Sequence, residues 1–137
     1  MKAIYLLFAV IFFSITLVPV VYASGDAEQG KIIFKKCKMC HTLGKGNKYG
    51  GGPDLQGVLG RPAGTFEEYD YSNGIKTYGR KGNTWCEGNL DEFLKNPRKK
   101  PFKAKMYFRL KKEKDREDVI AYLGENSDNT EACAKKK

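Results

Sequence analysis

The stretch Cys37-Lys38-Met39-Cys40-His41 decides how this chain of 137 residues is interpreted. It places two thiols close together and an imidazole directly after the second thiol. Cys-x-x-Cys-His is the attachment pattern of c-type haem, in which the thiols form thioethers and the histidine binds the iron. We therefore predict one covalently bound haem c, attached through Cys37 and Cys40, with His41 as an axial ligand of the iron.

The remaining soft side chains indicate Met106 as the second axial ligand. The chain has one histidine, so two histidines cannot hold the iron. Met1 lies ahead of an apolar N-terminal run, and Met39 lies inside the attachment stretch on the same side as His41. Met106 lies far downstream in a basic loop. Ligation by histidine and methionine leaves no open position on the iron, which favours electron transfer over catalysis. We predict a protein that is not an enzyme.

The N-terminal residues are predicted to direct export. Lys2 precedes an apolar run from Ile4 to Val18, and Val21-Tyr22-Ala23 has the small residues that signal peptidase recognises. We predict a signal peptide over residues 1–23, one folded domain over residues 24–137, and a periplasmic location. The apolar stretch is also long enough to span a bilayer, so an uncleaved membrane anchor stays open.

Three short helices are predicted in the folded domain. The first follows Asp26, a good N-cap, and the second starts at Asn89 and ends at Asn96-Pro97. The third begins near Asp115 and stops at Gly124. Glycine-rich stretches join them, and no stretch alternates as a strand does. So few helices give a poor core alone, which indicates loops wrapped around a large apolar cofactor.

The chain is strongly basic, with 25 Lys and Arg against 16 Asp and Glu and a formal net charge of +9. Nucleic-acid binding is disfavoured because the chain is predicted to be exported and carries no such motif. Two lysine clusters flank the predicted iron ligands, which indicates docking to acidic patches on partner proteins. The candidate docking residues are Lys36, Lys38, Lys45, Lys48, Lys99, Lys100, Lys103, Lys105, Lys111 and Lys112.

Two other interpretations of the cysteines are open to test. A thioredoxin-type Cys-x-x-Cys requires a preceding strand, whereas a charged helix is predicted ahead of Cys37. A zinc site could combine Cys37 and Cys40 with Cys86 and Cys133. Structural zinc sites usually use a second closely spaced ligand pair, which Cys86 and Cys133 do not form.

Several motifs occur in the order of a known family. Besides the haem-attachment stretch they are Gly52-Pro53-Asp54-Leu55, Asn96-Pro97, Lys105-Met106-Tyr107-Phe108 and Arg116 to Leu123. With them the chain resembles the class I cytochromes c, similar to mitochondrial cytochrome c and its α-proteobacterial relatives. The resemblance implies an all-α fold of three to five short helices with long loops around one haem. It also implies a monomer that carries electrons from a quinol–cytochrome c reductase to a terminal oxidase.

Other functions stay open beside this one. The chain could accept electrons from a periplasmic dehydrogenase or donate them to a peroxidase. A haem enzyme or gas sensor would lack Met106 on the iron or lose it easily.

The resemblance also implies roles for individual residues. The Pro53 carbonyl would accept a hydrogen bond from His41 and fix its ring. Gly30 would let the first and last helices cross near Tyr122. The residues that would pack on the porphyrin are Leu55, Leu94, Phe108 and Leu123, and those that would hydrogen-bond around its propionates are Arg61, Tyr71 and Trp85.

The chain departs from the family at several positions. Phe93 and Ala104 stand where a tyrosine and a threonine usually support the methionine ligand. Phe102-Lys103 replaces the usual Pro-Gly step, with Pro101 one place earlier. We therefore expect an altered reduction potential or a more labile Met106–iron bond. Cys86 and Cys133 are extra. The resembled fold brings them near each other, which implies a disulfide in an oxidising compartment, with two free thiols as the alternative.

Overall fold

The computed structural model describes residues 25–44 and 51–134, which form short helices joined by long loops. The helices are α1 (Ala27–Phe34), α2 (Asn73–Arg80), α3 (Glu87–Lys95), α4 (Glu113–Glu125) and α5 (Glu131–Ala134), with a single 3-10 turn at Cys37–Met39. Within these residues the β-pairing is one isolated bridge between Pro62 and Thr84. The all-α prediction is confirmed.

Helix α1 begins where the sequence predicts it. The Asp26 carboxylate accepts hydrogen bonds from the backbone N–H groups of Glu28 and Gln29, at 3.0 and 3.1 Å. These bonds satisfy two amides that have no partner within the helix. An acidic cap also suits the positive end of the helix dipole.

Helices α1 and α4 cross in close contact at Gly30. A Cβ atom on residue 30 would coincide with the Asp118 carbonyl oxygen and would lie 2.8 Å from the Cβ of Tyr122. Phe34 is fully buried, and its ring centroid lies 5.4 Å from that of Tyr122. The predicted crossing near Tyr122 is confirmed.

Arg116 joins α4 to α3. Its guanidinium is buried, and Nε donates to Asp91 Oδ1 at 2.6 Å. Nη1 donates to the carbonyl oxygens of Leu110 and Lys111, at 3.2 and 3.0 Å. A buried cation is stabilised only when its donors are satisfied, and here a carboxylate and two carbonyls satisfy them.

The predicted ends of two helices are wrong by a few residues. Helix α3 begins at Glu87, because Asn89 is its third residue and accepts a hydrogen bond from the Cys86 N–H at 2.8 Å. Helix α4 begins at Glu113, before Asp115, and continues past Gly124 to Glu125. Gly124 lowers the stability of the helix by only about 1 kcal/mol relative to alanine, so tertiary packing can keep the last turn of α4 helical.

Helices α2 and α5 were not predicted. Helix α2 contains two glycines, which lower its helix propensity. The structure shows why the glycines are needed: Gly74 lies against the Phe102 carbonyl oxygen, and Gly79 lies against the Ala63 carbonyl oxygen. Ser72 caps the helix by accepting from the Ile75 N–H at 3.3 Å.

The predicted signal peptide, residues 1–23, lies outside the described residues. In the described ranges, 25–44 and 51–134, no helix combines the length and apolarity needed to cross a bilayer. The buried core of these residues surrounds a cavity rather than filling the centre of the fold.

Candidate haem-binding site

A cavity of about 420 Å³ lies between the helices and the long loops. Its walls are largely apolar and include Val58, Ile75, Leu90, Val119 and Leu123. The structure brings together there every residue that the sequence predicts for haem attachment, iron ligation and haem packing. These residues are Cys37, Cys40, His41, Pro53, Leu55, Arg61, Tyr71, Trp85, Leu94, Met106, Phe108 and Leu123.

The two attachment thiols stand on the 3-10 turn that follows α1. The N–H groups of Cys40 and His41 both donate to the Cys37 carbonyl oxygen, at 3.0 and 2.9 Å. This tight turn brings both thiols and the imidazole to the wall of one cavity. Burial is the main cause that raises the pKa of the Cys37 thiol to about 11. Cys40 is exposed, and neither thiol takes part in a disulfide.

The His41 ring is held in one orientation and one tautomer. Its Nδ1 lies 2.7 Å from the Pro53 carbonyl oxygen. Because a carbonyl oxygen can only accept, Nδ1 carries the hydrogen and Nε2 is left with a free lone pair. Burial lowers the pKa of His41, against the opposing effects of the Pro53 bond and the Asp54 charge. The ring is therefore neutral near pH 7, as a metal ligand must be.

Asp54 organises the loop that carries Pro53, a role that sequence reasoning missed. Its buried carboxylate accepts from the Thr42 hydroxyl at 2.5 Å, from the Gly44 N–H at 3.1 Å and from the Gln56 N–H at 2.8 Å. The carboxylate thus ties this loop to the residues after His41. An aspartate directly after proline favours a turn closed by its own side chain, and that signal could have indicated the role.

Met106 is half-buried and lines the same cavity as His41. Its loop is anchored by the Ala104 backbone N–H, which donates to the Pro97 carbonyl oxygen at 2.9 Å. The next residue is anchored as well, since Lys105 Nζ donates to the backbone oxygen and to Oδ2 of Asp70, at 2.6 and 2.9 Å. Asp70 is exposed, and these bonds lower the pKa of its carboxyl to about 2, with help from Lys76.

Arg61 and Trp85 form a polar section of the cavity wall. Arg61 Nη2 donates to the Asp54 carbonyl oxygen at 2.8 Å. The backbone N–H of Trp85 donates to the backbone carbonyl oxygen of Arg61 at 2.9 Å. The chain segments that carry these two side chains are therefore paired directly. Burial lowers the pKa of Arg61 and raises the pKa of Tyr71, which lines the same wall.

The predicted docking lysines lie on the surface. Lys36 and Lys105 are at the margin of the cavity, and Tyr107 beside Met106 is 79% exposed. The exposed members are Lys36, Lys38, Lys99, Lys100, Lys103, Lys105, Lys111 and Lys112. Lys45 and Lys48 lie outside the described residues. Phe108 is 41% exposed although it lines the cavity, so it stands at the opening.

Cys86 and Cys133 lie together and apart from the attachment thiols. Their sulfurs are 2.12 Å apart and their Cα atoms 5.5 Å apart, as in a disulfide. The four cysteines therefore do not converge as the zinc interpretation requires. In the part of the chain that the structure describes, no group of three or more His, Cys, Asp or Glu side chains could hold a metal ion.

The donors in the cavity fit a covalent haem. The apolar space suits a porphyrin, and the neighbouring Cys37 and Cys40 thiols suit covalent attachment of its vinyl groups. The His41 imidazole and the Met106 sulfur are both ligands that haem iron accepts. The fold and these donors place the chain in the class of c-type haem proteins.

Comparison with known proteins gives the family. The model of the cytochrome c family matches residues 27–127. A cytochrome c2 from Pararhodospirillum photometricum is 43% identical over 109 residues, covering 73% of this chain and 96% of that protein. A cytochrome c from Arabidopsis thaliana is 44% identical over 107 residues, covering 75% of this chain and 91% of that protein. The chain belongs to the cytochrome c family, and its cofactor is a covalently bound haem c.

A solved structure supports the same conclusion. The structure of cytochrome c2 from Rhodospirillum centenum matches with a TM-score of 0.69 and 36% sequence identity, over 76% of this chain and all of that one. The class I cytochrome c fold predicted from the motifs is confirmed. The chain is an electron-carrier cytochrome.

Proposed function

We propose that this cytochrome is a periplasmic one-electron carrier whose haem iron is held by His41 and Met106. The observation that carries the proposal is that both side chains line one apolar cavity together with the Cys37 and Cys40 thiols. When bound, the haem supplies a ferrous–ferric couple. The chain's own residues attach the haem, orient the ligands, exclude water and present a docking surface.

His41 is prepared for ligation by the protein. The Pro53 bond directs the Nδ1 hydrogen away from the iron side of the ring, and a glycine at position 52 leaves space beside the ring. A hydrogen bond at Nδ1 also makes the opposite nitrogen a better donor. The ring therefore needs no reorientation when the iron changes oxidation state.

Met106 is the proposed second ligand because it lines the cavity and the two residues immediately before it are anchored. Pro97 and Asp70 fix the residues immediately before it, and Met39 is 83% exposed on the attachment turn. A methionine ligand raises the reduction potential relative to a second histidine and closes the iron to small molecules. Both effects suit a carrier rather than an oxygen-handling enzyme or sensor.

The proposed partners are redox proteins with acidic docking patches. The exposed lysines around Met106 and the attachment turn would accelerate encounter through long-range attraction. The family resemblance suggests a quinol–cytochrome c reductase as donor and a terminal oxidase as acceptor. Lys36 and Lys105 at the cavity margin support docking at that opening.

Export completes the proposal. Residues 1–23 would direct the chain across the membrane, and residues 24–137 would form the carrier. The Cys86–Cys133 pair, which the fold brings together, would be oxidised in that compartment. Its chain-entropy contribution would be about 4 kcal/mol for a closed loop of this length. Counting free thiols in the folded, non-reduced protein tests the pair directly.

An optical spectrum of the exported protein tests the ligands. We expect a low-spin haem in both oxidation states and no change in the ferrous spectrum on adding carbon monoxide. Ready binding of carbon monoxide by the native ferrous protein would indicate an open iron and a gas-binding function instead.

A methionine variant sharpens this test. Met106→Ala is expected to bind carbon monoxide and to lower the reduction potential, because the ligand that closes the iron is gone. Met39→Ala is the matched control, since Met39 is exposed and should leave both properties unchanged. A Met106→Ala protein that still excludes carbon monoxide would contradict the assignment of Met106.

A further inference from the structure

The segment after α4 forms a strap across the loop at residues 57–60. In this C-terminal strap, residues 126–133, the Asn126 carbonyl oxygen accepts from the Gly57 N–H at 2.8 Å. The buried Ser127 hydroxyl oxygen accepts from the Leu59 N–H at 3.1 Å. The Asn129 carbonyl oxygen occupies the place where a side chain on Gly60 would begin. The strap is therefore seated on this loop rather than lying loosely over it.

The far end of the strap reaches a second segment. Cys133 lies at bonding distance from Cys86, and its sulfur is 3.4 Å from the carbonyl oxygen of Trp85. The strap thus contacts residues 57–60 through hydrogen bonds and residues 85–86 through the cysteine pair.

The two segments under the strap are also paired with each other. The Gly60 N–H donates to the Trp85 carbonyl oxygen at 2.8 Å, and the Trp85 N–H donates to the Arg61 carbonyl oxygen at 2.9 Å. The first segment leads directly into Arg61, and the second contains Trp85; both residues line the cavity. The strap therefore closes the back of the wall that these two side chains form.

We propose that the Cys86–Cys133 disulfide is a positioning device that fixes the Arg61–Trp85 wall and thereby keeps the reduction potential high. The inference rests on the proposed haem ligation and disulfide. Hydrogen bonding and solvent exposure around a haem are two of the means by which a protein sets its potential. A loosened wall admits water, which stabilises the more highly charged ferric state and lowers the potential.

The test compares a variant without the disulfide against one that loses stability elsewhere. The double variant Cys86→Ser with Cys133→Ser removes the covalent link. Ile120→Ala is the matched control, because Ile120 is buried in α4 and contributes nothing to the cavity wall. Both variants are measured as haem-loaded proteins in a fixed redox buffer.

We expect the ferrous-to-ferric ratio of the double variant to fall at least about threefold, which is about 28 mV at 59 mV per tenfold for one electron. The control should lose stability and keep the wild-type ratio. An unchanged ratio in the double variant, or an equal fall in the control, overturns the proposal. Two free thiols at Cys86 and Cys133 in the native protein also overturn the proposal. Failure of the proposed carrier function is a separate result, because it would appear as binding of carbon monoxide by the native ferrous protein.

A second variant covers the case in which the double variant does not fold. Ser127→Ala keeps both cysteines and removes the acceptor of the Leu59 N–H, which loosens the other attachment of the strap. The ferrous-to-ferric ratio is expected to fall here as well, with the thiols still paired. A wild-type ratio in Ser127→Ala shows that the strap does not position the wall, and the proposal fails.

Discussion

At the scale of single residues, the His41 tautomer depends on a short stretch of backbone. The Pro53 carbonyl takes the Nδ1 hydrogen, and the buried Asp54 carboxylate holds the loop that presents this carbonyl. Pro53 is placed as the resemblance implies. The role of Asp54 was missed because its only sequence signal is its position directly after a proline, which indicates a turn but not the contacts of its carboxylate with Thr42 and Gly44.

The residues around Met106 lead to a prediction about ligand lability. Phe93 lines the cavity and packs on Trp85 and Phe102, with ring centroids 5.0 and 5.3 Å away, so it offers no hydroxyl there. Phe93→Tyr would restore the donor that the family usually has. We expect it to weaken displacement of Met106 by imidazole about fivefold, as a net hydrogen bond of about 1 kcal/mol implies. Titrations of the ferric proteins measure this.

The control for this prediction is Phe66→Tyr, an aromatic residue that lies under Arg61 and outside the cavity wall. It should titrate like the wild type. Equal imidazole affinities in Phe93→Tyr and the wild type would show that the missing hydroxyl does not weaken the Met106–iron bond.

At the scale of elements, the crossing of α1 and α4 requires a glycine. Gly30→Ala places a methyl group onto the Asp118 carbonyl oxygen, so one helix must move. We expect a loss of about 1–3 kcal/mol in the free energy of unfolding, which exceeds the helix-propensity gain of about 1 kcal/mol. Gly88→Ala in α3 is the control, because no atom lies within 4 Å of the added carbon. Denaturant unfolding of both should show loss only at position 30, and equal stability would contradict the close crossing.

Asp118 links the same two helices and gives a pH dependence. Its buried carboxylate accepts from the Asp26 N–H at 2.7 Å and from Lys114 Nζ at 2.6 Å. Burial alone would raise the pKa of Asp118, but these hydrogen bonds outweigh it and the pKa is lowered. A carboxyl with a lowered folded-state pKa stabilises the fold above its unfolded-state pKa. That contribution is lost as the pH falls through the folded-state pKa.

We therefore expect Asp118→Asn to unfold about 1–2 kcal/mol more easily at pH 7. The difference from the wild type should shrink below about pH 4, where the unfolded carboxyl begins to protonate. Asp128→Asn, on an exposed residue of the strap, is the control and should match the wild type throughout. Unfolding curves between pH 3 and pH 7 measure both, and a constant Asp118→Asn difference would refute the linkage.

Local sequence signals predicted some elements well and missed others for physical reasons. Asp26 predicts the start of α1 because capping depends on neighbouring residues alone. Helix α2 could not be predicted, because Gly74 and Gly79 argue against a helix until their contacts with Phe102 and Ala63 are known. The early start of α3 follows from the Cys86–Asn89 bond, in which Asn89 acts inside the helix rather than as its cap.

At the scale of the whole molecule, the cavity accounts for the architecture. Cavity-lining residues are spread along the chain from Lys36 to Leu123, and long loops are needed to bring them together. The ordered motifs identified most of this wall in advance through the family resemblance. The resemblance also implied the Cys86–Cys133 pairing at the far end of the strap. It did not indicate the strap's contacts with residues 57–60, which join distant segments that show no local pattern.

The distribution of charge is also a property of the whole molecule and gives the last prediction. A net charge of +9 attracts any acidic partner, but only lysines near the cavity opening should guide productive docking. Lys36→Glu, at an exposed lysine on the cavity margin, is expected to slow electron transfer to an acidic redox protein by up to about tenfold at low salt. The gap should close near 1 M salt, where the screening length is about 3 Å. Lys81→Glu, an equal charge change at the end of α2 and outside the cavity lining, is the control. Stopped-flow rates across ionic strength decide the matter, because equal slowing by both variants would mean that net charge alone steers the encounter.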